Sequence, residues 1–384
     1  MTHPVLNDAA AALGVPLDFR GDPGLLDGSR RCLLISRAEK SPRPDSPWLQ
    51  ATVEAVRESR ARGETLVAGS GRIAYDAALW ACAERGDRAV VALVSAPDES
   101  NESQRIIPPQ SLLVWPRETL KNSAASQTLR DKLMGELSDR AFAIHIRKTG
   151  NMASLAARFA QRGIEVEAFG ATKSPAPPPA LLNRANVDDI TPLPDESGWA
   201  FLTHFTREPA GAWPGEAYDD YLRWLCSGGP YAPRDSFAAL CRILKEMRLR
   251  ACGRLMADHA PMVCFTELHP KQTVPLRRWR RGLLRWTFTK YGLAIRKNVL
   301  LEMGARPVTY ASREVLEAVP ANERRFTQIE KTEKYCWSAE AEWRVAGDID
   351  LSTVPMHEML AVVEFTHEAA YLSETFGVAA TVIS

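Results

Sequence analysis

The chain has 384 residues, 45% of them hydrophobic and 25% charged, which is too long for one ordinary core and too apolar for a disordered tether; two globular domains are expected. Lys and Arg (48) almost cancel Asp and Glu (47), so the +1 net charge excludes a uniformly basic or acidic protein, and any polyanion partner must be read from local charge. Seven cysteines, odd in number and with no C-x-x-C pair, indicate reduced thiols and no metal site, and the absence of a signal-like N-terminus or of an apolar run near the ~18 residues of a membrane span indicates a cytoplasmic protein without a membrane partner.

Along the first part of the chain, the apolar runs RCLLIS, ETLVAGSG, RAVVALVS, SLLVWP and RAFAIHIR alternate with helix-length amphipathic segments. This alternation predicts an α/β, Rossmann-like domain over residues 1–172, with a parallel sheet covered by helices. In LVAGSGRIAYDAALW, a strand turns at Gly69, Ser70 and Gly71 into a helix. Small residues there let backbone N–H groups approach an anion at the helix N-terminus, with Arg72 as a clamp, or they simply turn the chain. His145 reads as a core residue. The prolines of SPAPPPALLNRANVDDITPLPDESG forbid regular structure, which predicts a linker over 173–198.

From 199 to 384 the strands FLTHFT, APMVCFTEL, YGLAIRK, RPVTY and AEWRV lack regular intervening helices, so a mixed-sheet α+β domain is expected. Its segment 271–297 carries Lys271, Arg277, Arg278, Arg280, Arg281, Arg285, Lys290, Arg296 and Lys297 and no acid, with Trp279, Trp286, Phe288 and Tyr291 among them. Guanidinium groups neutralise phosphates and aromatic faces stack bases, so Arg277, Arg278, Arg280, Arg281, Arg285, Lys290, Trp279 and Trp286 are candidate nucleic-acid contacts, with DNA the expected partner. The other reading of the same residues is an amphipathic helix with a solvated basic face and buried tryptophans. In YCWSAEAEWRVAGDIDL, Glu340 and Glu342 fall two apart, on one face of an extended strand, with Arg344 next on that face. The triplet is either a catalytic pair held ionised by arginine or an ion-pair ladder. Glu267 is a reserve acid, His259 sits in a loop, His269 lies beside the basic run where it could touch phosphate, and Asp219 and Asp220 read as helix-start charges.

Two resemblances add to this reading. The stretches VAGSGRIAYDAALWACAERGDRAVVAL (67–93) and LRDKLMGELSDRAFAIHIRKTGNMASLAARFAQRGIEVEAFG (129–170) resemble the DprA/SMF branch of the SLOG superfamily. That resemblance implies a Rossmann-like fold binding a nucleotide or single-stranded DNA at the carboxyl ends of the strands, through Gly69, Ser70, Gly71, Arg72, Gly150 and Asn151. Over about 199–384, the ordered set FLTHFTR, VCFTEL, YGLAIRK and W-x-x-E-x-E-W-R resembles the ADP-ribosyltransferase-like fold, in particular an uncharacterised bacterial family similar in layout to the DarT-type DNA ADP-ribosyltransferases. It implies NAD as cofactor, Glu342 as the catalytic residue with Glu340, His204 and Thr266 assisting, and His204, Phe265, Tyr291 and Arg344 around the NAD. A carboxylate there would stabilise the positive charge that builds on the ribose as nicotinamide departs. The resulting expectation is an enzyme that modifies a DNA base in phage defence or DNA modification, alongside other proteins of such systems. Two alternatives are an NAD-independent modification, such as hydration of a 7-deazaguanine nitrile, and a sensing or binding module without catalysis.

Overall fold

In the computed structural model the chain forms two compact units, one of residues 1–178 with 210–231 and the other of residues 179–209 with 232–384. The structure describes residues 3–36, 42–97, 106–118, 122–170, 191–209, 211–227, 234–253, 256, 259–280, 285–330 and 336–383. Residues 171–190 of the expected linker, Arg281 and the side chain of Arg285 lie outside the described residues.

The first unit is built on a sheet of β1 (Leu17–Arg20), β2 (Arg30–Ile35), β3 (Thr65–Gly69), β4 (Arg88–Ala92), β5 (Gln110–Pro116), β6 (Arg140–His145) and β7 (Val166–Ala168), in the order β1-β5-β4-β3-β2-β6-β7. Only β1 runs antiparallel. Helices α1 (Pro4–Leu13), α2 (Pro47–Ala61), α3 (Ile73–Ala83), α4 (Ser123–Glu136) and α5 (Asn151–Gln161) cover it, which is why the strands are apolar almost throughout rather than alternating. After β5 the chain returns to lay β6 on the free side of β2, so the carboxyl ends of β2 and β6 flank the topological switch point, where such sheets bind ligands.

Helix α3 is buried from Ala74 to Cys82, and a helix that is apolar all round must be covered on its outer side as well. The cover includes a helix from later in the chain, α6 (Tyr218–Cys226), whose Tyr221, Leu222 and Leu225 join the core around α3. Residues 210–231 therefore belong with the first unit, not with the second domain in which sequence patterning puts them.

The second unit carries a mixed sheet of β8 (Phe201–Phe205), β9 (Met262–Thr266), β12 (Gly292–Arg296), β13 (Arg306–Pro307), β14 (Glu342–Ala346), β15 (Met359–Val363) and β16 (Ala379–Val382), in the order β13-β14-β9-β8-β12-β15-β16. Every neighbouring pair is antiparallel except β15 with β16. One face packs Leu202, Phe265, Leu293 and Trp343 with Leu240 of α7 (Ser236–Glu246) and Leu372 of α8 (Thr366–Phe376); Phe201, Phe205 and Phe288 form a separate cluster. The basic segment is not one helix. It contains a hairpin of β10 (Trp279–Arg280) and β11 (Arg285–Trp286), in which Trp279 pairs with Trp286, and then β12.

Candidate functional site

Strand register defines a site in the second unit. Thr266 is paired with both Thr203 and Glu342, and Cys264 with Arg344. Paired residues share a face and side chains alternate along a strand, so Thr203, Phe205, Cys264, Thr266, Glu342 and Arg344 stand on one face, while His204, Phe265 and Trp343 belong to the other. A cavity of about 400 Å³ opens here, lined by these residues except Trp343 and also by Arg207, Arg250, Gln328, Trp337 and Glu340. Its size is that of a small-ligand pocket.

The two glutamates reach the cavity differently from the expectation of one strand face. β14 begins at Glu342, and Glu340 ends a single 3₁₀ turn (Ser338–Glu340), after which Ala341 takes the left-handed conformation with φ of 42°. A turn, not alternation, brings the second carboxylate in. Each is paired with arginine. The Arg344 guanidinium donates from Nε to Glu342 Oε1 at 2.9 Å and from Nη2 to Oε2 at 3.2 Å, and its remaining donors go to the Arg325 carbonyl at 2.7 Å and Gln328 Oε1 at 2.9 Å. Burial works to lower the basicity of Arg344, but the Glu342 carboxylate outweighs it and holds the group above its ordinary value. Glu340 accepts from Arg280 Nη2 at 3.0 Å, and that guanidinium lies 3.9 Å over the Trp337 ring.

The other expected residues separate. Thr266 lines the cavity, but its hydroxyl donates to the Glu340 carbonyl at 2.6 Å and accepts from the Leu268 N–H at 3.1 Å, so it fastens the turn. Tyr291 does not line the cavity: its hydroxyl donates to Glu368 at 2.9 Å on α8. His204 lies where β8 and β9 meet at a single register pair, 2.9 Å from the Cys264 carbonyl through Nδ1 and edge-on to Phe265. A carbonyl only accepts, so Nδ1 carries the proton and Nε2 is the acceptor. Burial, opposed by that hydrogen bond, pushes the imidazole down to about 4, leaving it neutral at pH 7. Burial, with help from the Glu342 charge, pushes the Cys264 thiol up to about 12, so it is no thiolate nucleophile. Sequence reasoning misses Thr203 and Gln328 of the lining and the nearby Tyr310, whose buried hydroxyl burial and the charge of Glu342 hold well above its ordinary value. Period two in FLTHFT carries a signal for Thr203; the three-residue strand holding Gln328 carries none.

The hairpin presents Trp279 and Trp286 to solvent, 48% and 50% exposed and edge-to-face at 5.8 Å. The charge of the whole segment 271–297 is not uncompensated, because acids from elsewhere in the second unit pair with it: Glu340 with Arg280, Glu364 with Lys290, Glu358 with Arg296 and Glu267 with Lys297. Arg278 is exposed, and Arg277 is half-buried, its basicity lowered by burial against the pull of Glu364.

In the first unit a second cavity, of about 580 Å³, lies at the β2/β6 switch point, lined by Ser36, Trp48, Arg72, Arg147, Gly150 and Asn151 among others. Gly150 has φ of 110°, and no side chain caps the first turn of α5. The Trp48 indole N–H is buried without a partner among the described residues, and Arg72 and Arg147 add two cationic side chains to the lining. Gly69, Ser70 and Gly71 do not line this cavity. A Cβ at Gly69 would lie 2.9 Å from the Tyr75 ring, Arg130 donates to the Ser70 carbonyl at 2.6 Å, and the Gly71 N–H is taken by Asp76 at 3.1 Å. Close packing and an internal cap occupy the turn that the sequence suggests as a phosphate cradle.

No family model matches the chain, and no curated protein matches it. Among solved structures, DNA processing protein A (DprA) from Streptococcus pneumoniae is similar at a TM-score of 0.31 and 15% identity, over 44% of this chain and 56% of that one. DNA processing protein A from Helicobacter pylori, described for its single-stranded DNA binding mode, is similar at 0.33 and 18% identity, over 40% and 70%. The chain thus spans little more than half of the Streptococcus protein. Likeness at these TM-scores carries no functional inference.

Proposed function

We propose that the second unit is a nucleic-acid-directed enzyme that transfers a group to a base, with Glu342 as the residue that stabilises positive charge in the transition state. The observation that carries this reading is a ligand-sized cavity lined by two arginine-held glutamates, one of which is tied through Arg280 to a hairpin bearing two exposed tryptophans. The lining suits a nucleotide: Arg207, Arg250 and Arg344 outnumber the two carboxylates, and Phe205, Phe288 and Trp337 offer apolar faces. NAD, when bound, supplies an ADP-ribosyl group on a nicotinamide leaving group. The residues of the chain would then hold the sugar against Glu342, fix the orientation of that carboxylate through Arg344, and let Glu340 accept the proton of the attacking base. The first unit, whose switch-point cavity carries Arg72 and Arg147, contributes binding of nucleic acid or nucleotide.

A second reading, modification without NAD, is favoured by one observation: of the residues expected around NAD, His204, Phe265 and Arg344 line the cavity with Glu342, but Tyr291 lies outside it. Nucleoside mass spectrometry of DNA, unmodified or containing 7-deazaguanine, separates the readings when done with wild type and Glu342→Gln, with and without NAD. An added ADP-ribose mass that needs both NAD and Glu342 is the expected result, and a smaller mass change without NAD selects the second reading. No change in any arm overturns both.

A further inference from the structure

Of all the residues lining the glutamate cavity, Thr203 has the least accounted-for chemistry. It is 1% exposed, and its hydroxyl oxygen is buried with no hydrogen-bond partner among the described residues. A buried hydroxyl left unpaired has lost its water and gained no partner, so native structures seldom keep one without a reason. Its neighbours do not need it. Thr266, directly opposite on β9, already spends its hydroxyl on the Glu340 carbonyl, and Ala294, opposite on β12, has nothing to offer. Valine has the same shape and a strand preference at least as strong, so neither packing nor β-propensity calls for threonine here. The register also makes Thr203, and not the adjacent His204, the β8 residue that shares a face with Glu342 and Arg344.

We propose that Thr203 is a ligand-contacting residue of this cavity, its Oγ1 hydrogen-bonding a nucleoside unit held against Glu342. The inference rests on the nucleotide reading of the cavity and names the residue that completes it. The nucleoside comes either from NAD or from a nucleotide of the bound strand; both sources present a sugar and base rich in hydrogen-bonding groups. The hydroxyl both donates and accepts, so it serves either.

The test titrates NAD and, separately, a single-stranded oligonucleotide into wild type, Thr203→Val and Thr203→Ser, with melting temperatures measured without ligand. The expected result is about tenfold weaker binding of one probe to Thr203→Val, near-wild-type binding to Thr203→Ser, and a melting temperature for Thr203→Val equal to or above wild type, because the unpaired hydroxyl is gone. The probe that weakens identifies the source. If wild type binds a probe and Thr203→Val binds it equally well, the Thr203 assignment is overturned while the cavity reading stands. If Thr203→Val melts lower and loses binding together, the hydroxyl is structural and the assignment is overturned. If wild type binds neither probe, both the assignment and the nucleotide reading fall.

Discussion

The glycine turn of the first unit and the glutamate cavity of the second differ in how their polar groups are satisfied. At the turn after β3, Asp76 caps Gly71, Arg130 holds Ser70, and Tyr75 fills the space a side chain at Gly69 would occupy, so the turn is closed by its own unit. On the mixed sheet the charged groups are paired, Glu342 with Arg344 and Glu340 with Arg280, yet the Thr203 hydroxyl is left without a partner among the described residues. A glycine-rich turn is thus a weak sign of ligand binding, since packing uses glycine for the same steric reason. A buried polar atom left over after every neighbour has been served is a stronger one, because only a ligand or water removes its cost.

Breaking the best-served group of the mixed sheet gives the largest expected effect. Arg344 is 2% exposed and serves Glu342, Gln328 and the Arg325 carbonyl at once. Arg344→Met leaves the Glu342 carboxylate half-buried without its counter-charge, and a loss of about 3 kcal/mol is expected in urea unfolding. A loss under ~1 kcal/mol would show that solvent in the cavity replaces the pair. In that case the ladder reading of E-x-E-x-R fails, and the arginine acts only on the chemistry.

His204 sharpens the comparison through pH. Its native value is near 4 and its unfolded value near 6.5, so the native state refuses a proton that the unfolded chain accepts. Stability from this group is complete above pH 6.5 and is lost as pH falls toward 4, by about 3 kcal/mol in total. His204→Asn keeps an N–H for the Cys264 carbonyl and removes the titration, so its stability should be flatter than wild type across that window. An unchanged slope would mean that other groups dominate the acid side.

The hairpin tryptophans come next. Trp279 and Trp286 are about half exposed, so Trp279→Ala and Trp286→Ala should leave the melting temperature unchanged. Each should weaken single-stranded oligonucleotide binding about tenfold, the effect of one lost base stack. Equal binding by both variants would remove the hairpin from the interface.

Much of this architecture is legible in the sequence because it follows from periodicity. The alternation of RCLLIS, ETLVAGSG and RAVVALVS with helical segments gives the parallel sheet, and its breakdown after residue 199 gives the mixed one. What escapes depends on contacts that are distant along the chain. That α6 crosses back to cover α3 follows from α3 being apolar on every side, which a one-dimensional pattern registers only as a hydrophobic helix. The face of Glu340 depends on one left-handed residue, Ala341, a conformation to which alanine gives no clue. That His204 stands on the opposite sheet face from Glu342 depends on register across β8, β9 and β14, which no strand encodes alone.

The smallest expected effect lies in the closed turn and tests whether it is closed for stability or for binding. Asp76 is buried, accepting from Gly71 N–H and from the Tyr218 hydroxyl at 2.8 Å, and burial raises its carboxyl above the ordinary value despite both hydrogen bonds. A raised native value means that the native state binds a proton more readily than the unfolded chain does, so the contribution of this group to stability is fully present below about pH 4 and is lost as pH rises through the native value. The substitution Asp76→Asn can keep the bond from Gly71 and offer its amide to Tyr218 without the buried charge. The variant should therefore be modestly more stable than wild type at pH 7 and equal to it below about pH 4. A variant less stable than wild type at pH 7, with the deficit fading as pH falls, would mean that the ionised carboxylate, with Arg130 nearby, is what holds the turn, and the charge then excludes anions from it outright.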